Sequence, residues 1–266
     1  MANHLAVTIP LSNIQRIQIY VNTAKRSLSQ IQAETGADYI INGTLYNMST
    51  FQPNCHLKVD GNVLCKPNYT VSGYSWHDGP DISMDTLPDP SQRNYIACTP
   101  LIVSGKPVSN LIYDSGQGGK RGRTAMGLKG NRLALYCTKD GGSMAKTPET
   151  LRDDLAAAGW ESAVMMDGGG SSQCWFRGQT IKSTRAVHDL ILVYLKGSDT
   201  TGVKTYSVKK DGSTYLSDNF KVKEFACNDG SDTVLIADEL VSLLQKIRDH
   251  FGVAVTINSG YRTSLT

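Results

Sequence analysis

The chain has 266 residues, 40% of them hydrophobic, with 27 Lys and Arg against 24 Asp and Glu and a formal charge of +3; this is length for one large or two smaller domains and apolar content for an ordinary packed core. It holds no Lys/Arg block of the kind that marks nucleic-acid or membrane-surface binding, and its longest apolar run, Leu190 to Leu195, is strand-sized and far short of a membrane span. The opening MANHLAVTIP has neither a basic start nor an apolar stretch long enough for a signal peptide, so the expected site of synthesis is the cytoplasm, and action at a cell envelope would need a phage or non-classical route.

In chain order, Asn13 to Tyr20 alternates apolar and polar residues, the period of a half-buried strand. Ser27 to Thr35 is rich in helix formers and is closed by Gly36, the usual left-handed cap. Asp38 to Ile41 reads as a strand ending at Asn42 and Gly43. From Tyr46 to Pro107 short β-rich pieces, Leu57 to Val59 and Ile96 to Val103, stand among Gly, Pro, Asn and Ser, which predicts hairpins and long loops. Lys120, Arg121 and Arg123 form a short basic cluster, read as a local anion site. Arg132 to Thr138 is a strand, followed by the glycine loop Asp140 to Ser143. Thr147 and Pro148 read as N-cap and first residue of a helix that runs to Ala158 and stops at Gly159. With Ala163 to Met166 as the next strand, this is a βαβ-like order that places the loops Asp140 to Ser143 and Asp167 to Ser172 side by side. Arg177 to Gln179 is a turn, and Thr184 to Leu195 supplies a further strand.

Six cysteines (55, 65, 98, 137, 174 and 227) are spread thinly and read as mostly free thiols, Cys55 and Cys65 being the one pair placed to form a disulfide across a hairpin. Neither CxxC nor HExxH spacing occurs, so a thiolate zinc site or zincin helix is not supported.

The segment AVMMDGGGSS, Ala163 to Ser172, carries the most chemistry. A buried strand stops at one carboxylate, Asp167. Gly168, Gly169 and Gly170 then allow positive φ and close approach to a ligand. Free N–H groups there, with the hydroxyls of Ser171 and Ser172, would make a concavity for an anion. The plain alternative is a tight turn with glycines for geometry alone.

Four pieces, INGTLYN (41–47), RGRTAMGL (121–128), DGGGSS (167–172) and TRAVHDLILV (184–193), together resemble the phosphodiester glycosidase family, in the family's order, and extend over most of residues 1–197. Thr44 and Leu45 depart from it, standing where the family commonly has Gly or Ala and an aromatic residue. The resemblance implies hydrolysis of a sugar 1-phosphodiester to free sugar and phosphomonoester. Ordinary glycosidases need two carboxyl groups, but a phosphomonoester is already a good leaving group, so one carboxylate with cations and N–H donors suffices. Asp167 then acts on the attacking water or the developing sugar cation. Arg123 and Arg185 hold phosphate oxygens. Gly168, Gly169, Gly170, Ser171, Ser172, Thr124 and Tyr46 line the substrate, and Asn42 orients a sugar hydroxyl or phosphate oxygen. Asp189 is a further candidate, with a strand-end cap or an Arg185 partner as the competing readings, and His188 reads as a strand histidine. Either arginine has a surface ion pair as its ordinary alternative. No cofactor is required, although Asp140 and Asp167 together suit a divalent cation. Asn42 also opens a formal glycosylation sequon, NGT, a weak reading without a signal peptide.

Composition changes near Lys196, where KGSDTTGVK reads as a linker, set at residues 198–206. Beyond it Thr233 to Phe251 has the spacing of an amphipathic helix and Val253 to Ile257 that of a strand. The run from Phe220 through Thr263 resembles the start of the zinc D-alanyl-D-alanine carboxypeptidase family of endolysin and cell-wall type. Arg262 falls on that family's substrate-contacting Arg, but the zinc ligands of the resemblance lie further on, so no peptidase activity is expected here, and a unit this partial is expected to leave apolar surface uncovered. The fold expected is α+β (mixed α/β), a twisted sheet with few helices in residues 1–197 and a partial α+β unit in 207–266. The expected function is a hydrolase of glycosyl phosphates on bacterial or phage-targeted envelope glycans, with peptidoglycan as a further partner. Its rivals are a noncatalytic glycan- or peptidoglycan-binding module and a phosphodiesterase that cuts P–O instead of C–O.

Overall fold

The computed structural model describes residues 2–86, 91–196, 203–258 and 260–261. The chain divides into two compact units, 1–196 and 197–266. Period-two alternation sets the architecture of the first. In strand Arg132–Thr138, Leu133, Leu135 and Cys137 enter one apolar cluster while Ala134 and Tyr136 enter another. The same split divides Val164 from Ala163 and Met165 in strand Ser162–Met165. In strand Asp189–Leu195, Ile191 and Val193 face the first cluster, and Leu190, Leu192 and Tyr194 face a third.

Two antiparallel sheets therefore share one core. One has six strands in the order His4–Pro10, Arg132–Thr138, Thr124–Leu128, Ser162–Met165, Thr99–Val103, Lys106–Pro107; the other has five, Gln179–Ile181, Cys174–Phe176, Tyr39–Asn42, Asp189–Leu195, Ile14–Val21. Helix Pro148–Ala157 covers the outer face of the first through Leu151 and Leu155, and helix Leu28–Thr35 covers the second through Leu28 and Ile31. Each such buried side chain stabilises by about 1.5–3 kcal/mol. Both helices start as their sequences direct. Ser27 and Gln30 form a reciprocal capping box, with Gly36 left-handed at the far end, and Thr147 caps a helix with Pro148 in its first turn. A second five-stranded sheet, Asn62–Cys65, Leu57–Val59, Asn94–Ala97, Gly73–Trp76 and Ser83–Asp85, adds Leu57, Tyr74, Trp76 and Ile96 to the shared core.

The result is mixed in class and dominated by sheet. Several expectations need correction. His4–Pro10, read as no element, pairs with Arg132–Thr138 along its whole length. Arg132–Thr138 and Ser162–Met165 are not neighbours, because Thr124–Leu128 lies between them, antiparallel to both. All six cysteines are free.

In the second unit, strand Val203–Ser207 occupies residues assigned to the linker and pairs with Thr233–Ala237; residues 198–202 lie outside the described ones. Thr233–Ala237, expected as the start of the helix, is a strand, since Val234 and Ile236 alternate inward; the helix is Asp238–Phe251. Residues 253–258 form no strand, although Val255 and Ile257 pack on the core of Phe220, Val222 and Phe225. Leu240, Leu243 and Phe251 are exposed, the uncovered apolar surface anticipated for this unit. Arg262 lies outside the described residues. No described helix is long and apolar enough to cross a membrane.

Candidate active site

The site forms where the chain passes from one sheet to the other. Strand Ser162–Met165 ends in the six-stranded sheet, Asp167 follows Met166, and the chain enters strand Cys174–Phe176 of the facing sheet after a single 3-10 turn, Gly169–Ser171. Asp167 is clamped through its backbone. Its N–H donates to Gly43 O at 3.0 Å, and its carbonyl accepts from Asn42 Nδ2 at 2.8 Å. Its Oδ1 accepts from Gly168 N at 2.9 Å. Burial pushes the Asp167 carboxyl up to about 6; the Ser171 hydroxyl, the Arg185 charge and the Gly168 N–H pull it down, while buried Asp189 adds to the rise.

Asp167 opens into a chamber of about 470 Å³ lined by Arg121, Arg123, Arg185, Tyr46, Asn47 and Met48, with Asn54, Asp114 and Gln117 on its far side. Arg121 and Arg185 flank Gly169, whose φ is +57°; a Cβ there would stand 3.8 Å from an Nη of each. Three guanidinium groups thus share one chamber with the Asp167 carboxylate, on which Arg185 acts directly, a charge arrangement suited to an anionic ligand.

The expected residues do not all present free groups to the chamber. Arg123 lines the chamber, but it is buried and anchors loops: Nε donates to Lys146 O at 2.8 Å and Nη2 to Gly119 O at 2.7 Å. Arg185 is exposed at the rim, its Nη1 against Met48 Sδ. Asn42, expected to orient a substrate group, is fully committed inside. Besides its bond to Asp167, its Oδ1 accepts from Thr124 Oγ1 at 2.6 Å and from Gln173 N at 3.0 Å. Thr124 is likewise turned inward. Together they tie both sheets to the acid-bearing loop.

Asp189 is not a ligand contact or an Arg185 partner. It is buried, accepts from Thr44 N at 2.9 Å and pairs with His188 Nδ1 at 3.1 Å; burial raises its pKa. Tyr46 donates to Ala186 O at 2.6 Å and lines the chamber. Asp140 accepts from Gly122 N at 2.8 Å and is absent from the chamber lining, so it does not join Asp167 in a two-carboxylate site. Among the described residues no group of three or more His, Cys, Asp or Glu is disposed to hold a metal.

The glycine loop also differs from a row of free donors. Gly169 N donates to Gly122 O, Ser171 N to Gly168 O and Ser172 N to Gly169 O. The loop is chiefly a scaffold for Asp167. The two hydroxyls that follow are buried: Ser171 Oγ stands beside the Asp167 carboxyl and lowers its pKa, while Ser172 Oγ has no partner in the protein among the described residues. Glycine serves elsewhere by leaving room. A Cβ on Gly122 would come within 2.6 Å of Asp140 N and 2.9 Å of Ser172 Oγ, so this residue is what lets the 140 and 168–172 loops lie together.

Sequence reasoning did not assign site roles to Asn47, Met48, Asn54, Asp114 and Gln117. Arg121 had a signal, the 120–123 cluster, and Asp114 had one in its reciprocal capping box with Gln117. Cys55, expected as a partner of Cys65, is a free thiol hydrogen-bonded to Cys98, and that bond lowers its pKa.

The family model for phosphodiester glycosidase matches residues 20–194, and the model for Peptidase M15 matches residues 217–266. No curated protein matches the chain. Several solved structures share the fold, three of them as follows. A hypothetical protein from Synechocystis superposes with TM-score 0.59 at 13% identity, over 72% of this chain and 59% of that one. The catalytic domain of zebrafish N-acetylglucosamine-1-phosphodiester alpha-N-acetylglucosaminidase, auto-inhibited by its pro-peptide, gives 0.56 at 13%, over 73% and 84%. A protein from Burkholderia pseudomallei K96243 gives 0.52 at 11%, over 72% and 73%.

Proposed function

We propose, from the premise that this chain belongs to the phosphodiester glycosidase family, that it hydrolyses sugar 1-phosphodiesters to free sugar and phosphomonoester. The observation that carries the reading is the half-ionisable acid, Asp167, facing Arg121 and Arg185 across one chamber. Water adds to the anomeric carbon, the C1–O bond breaks, and the phosphomonoester leaves already anionic. Asp167, ionised above its pKa of about 6, takes the proton of that water or stabilises the sugar cation. Arg121 and Arg185 hold the phosphate oxygens, and the buried Ser171 hydroxyl supports the ionised form of the acid. Arg123 contributes charge while its hydrogen bonds fix the loops that carry Arg121. No cofactor takes part in this reading.

The substrate class follows from the company the domain keeps. The Peptidase M15 match at residues 217–266 and the resemblance to cell-wall enzymes support glycosyl phosphates of bacterial envelope glycans, with peptidoglycan as a candidate partner of the second unit. No peptidase step is assigned to that unit, which offers no metal-ligand group among its described residues.

Two measurements test the reading. Hydrolysis of a synthetic N-acetylglucosamine 1-(methyl phosphate) in oxygen-18 water is expected to label the sugar; label on phosphate would mean P–O cleavage, and no turnover with retained binding would make this a glycan-binding module. Arg185→Ala is expected to leave thermal stability unchanged, because the side chain is exposed, while kcat/KM falls about tenfold to a hundredfold, the value of one charge-assisted hydrogen bond.

A further inference from the structure

The charged chamber has a neighbour. Leu45, Asn54, Asp114 and Gln117 also line a second cavity of about 660 Å³, so the two spaces share a wall. The chemistry changes across that wall. The second cavity takes apolar walls from Leu45, Val71, Pro100, Val108 and Ile112, with polar groups such as Asn110 and Asp114 among them, and no arginine or lysine lines it. A sugar needs dense hydrogen bonding from its pocket; an alkyl chain needs only apolar surface. Two large apolar side chains at its walls are left in water. Ile112 is 89% exposed and Tyr69 is 48% exposed, and both line this one cavity.

The shared wall also lies next to the loop that the arginines hold. The turn Asp114–Gln117 is followed directly by Gly118 and Gly119, whose carbonyls accept from Arg121 Nε at 3.1 Å and Arg123 Nη2 at 2.7 Å. A phosphate held by Arg121 therefore has this turn, and the apolar space behind it, as its neighbour. Resting on the hydrolase reading above, we propose that this cavity binds an alkyl chain on the alcohol esterified to the phosphate, so that the preferred substrates are glycosyl phosphates of lipid-like alcohols.

Octyl phosphate and methyl phosphate test this without turnover. Each buried methylene strengthens binding by about fourfold, so octyl phosphate is expected to bind the full chain at least about 30-fold more tightly in calorimetry. Ile112→Asp, a change at an exposed position that leaves folding intact, is expected to remove about tenfold of that preference, and Ile112→Leu to restore it. Equal binding of the two esters, or tighter binding of uridine monophosphate than of octyl phosphate, overturns the proposal, the latter by making the cavity a nucleobase pocket. A kinetic arm separates the two levels of inference: N-acetylglucosamine 1-(octyl phosphate) and its methyl analogue turned over equally, with Ile112→Asp silent on both, would sink the alkyl site and leave the hydrolase standing.

Discussion

Asp167→Asn is expected to lose about a thousandfold in hydrolysis, the range of a lost general base, and to gain stability at neutral pH. The two effects have one cause. Burial raises the folded-state pKa of Asp167 from 3.8 to about 6, so the native protein holds this proton more tightly than the unfolded chain does. Stability from this group is fully present below pH 4 and declines as pH rises through 6, by up to about 3 kcal/mol for a shift of this size and less in so far as the carboxylate meets water. Asparagine has no such dependence. The variant should therefore match the parent in thermal melting at pH 4 and exceed it at pH 7, while kcat/KM of the parent climbs through pH 6 to a plateau. A variant that keeps most of its activity, or an activity limb that falls with rising pH near 6, would remove Asp167 from the role of base.

The second large effect is expected at a residue with no chemistry. A Cβ on Gly43 would stand 1.8 Å from Asp189 Oδ1 and 3.1 Å from Asp189 O. Neither atom is free to retreat, because Oδ1 accepts from Thr44 N and the carbonyl accepts from Gly43 N at 2.8 Å. Gly43→Ala should cost more than about 3 kcal/mol, in the range of strained or overpacked cores, and is expected to show little soluble folded protein. Denaturant titration of Gly43→Ala with Asp189→Ala checks the mechanism: the double variant should be more stable than the sum of the two single losses allows. Strict additivity would mean that the carboxylate is not what the glycine makes room for.

Much of this arrangement was legible in the residues. Strand Arg132–Thr138 and the helix capped by Thr147 carry their signals locally, in alternation and in capping chemistry, and Asp167 was recognisable because an apolar run that ends in one acid and three glycines has few structural uses. What sequence could not settle was the direction in which polar groups turn. Asn42 and Asp189 sit in the same motifs as true chamber residues, but their partners lie 125 and 145 positions away along the chain, and only tertiary pairing decides that they face inward. The same holds for His4–Pro10, whose weak local pattern is overridden by a full-length partner 120 residues and more downstream. In the second unit Thr233–Ala237 satisfies both helical and alternating periods over so short a run that pairing with Val203–Ser207 decides the matter.

The crossing between the two sheets divides this protein into a part that cannot drift and a part that can. Asp167 hangs from backbone bonds anchored in both sheets, so any movement of the acid requires the sandwich itself to part. Arg185, Ile112 and the turn at Asp114–Gln117 stand on peripheral loops that carry none of those anchors. On the proposed reading, changes confined to the periphery would alter which phosphoesters fit, while the position of the carboxylate is set by the fold itself.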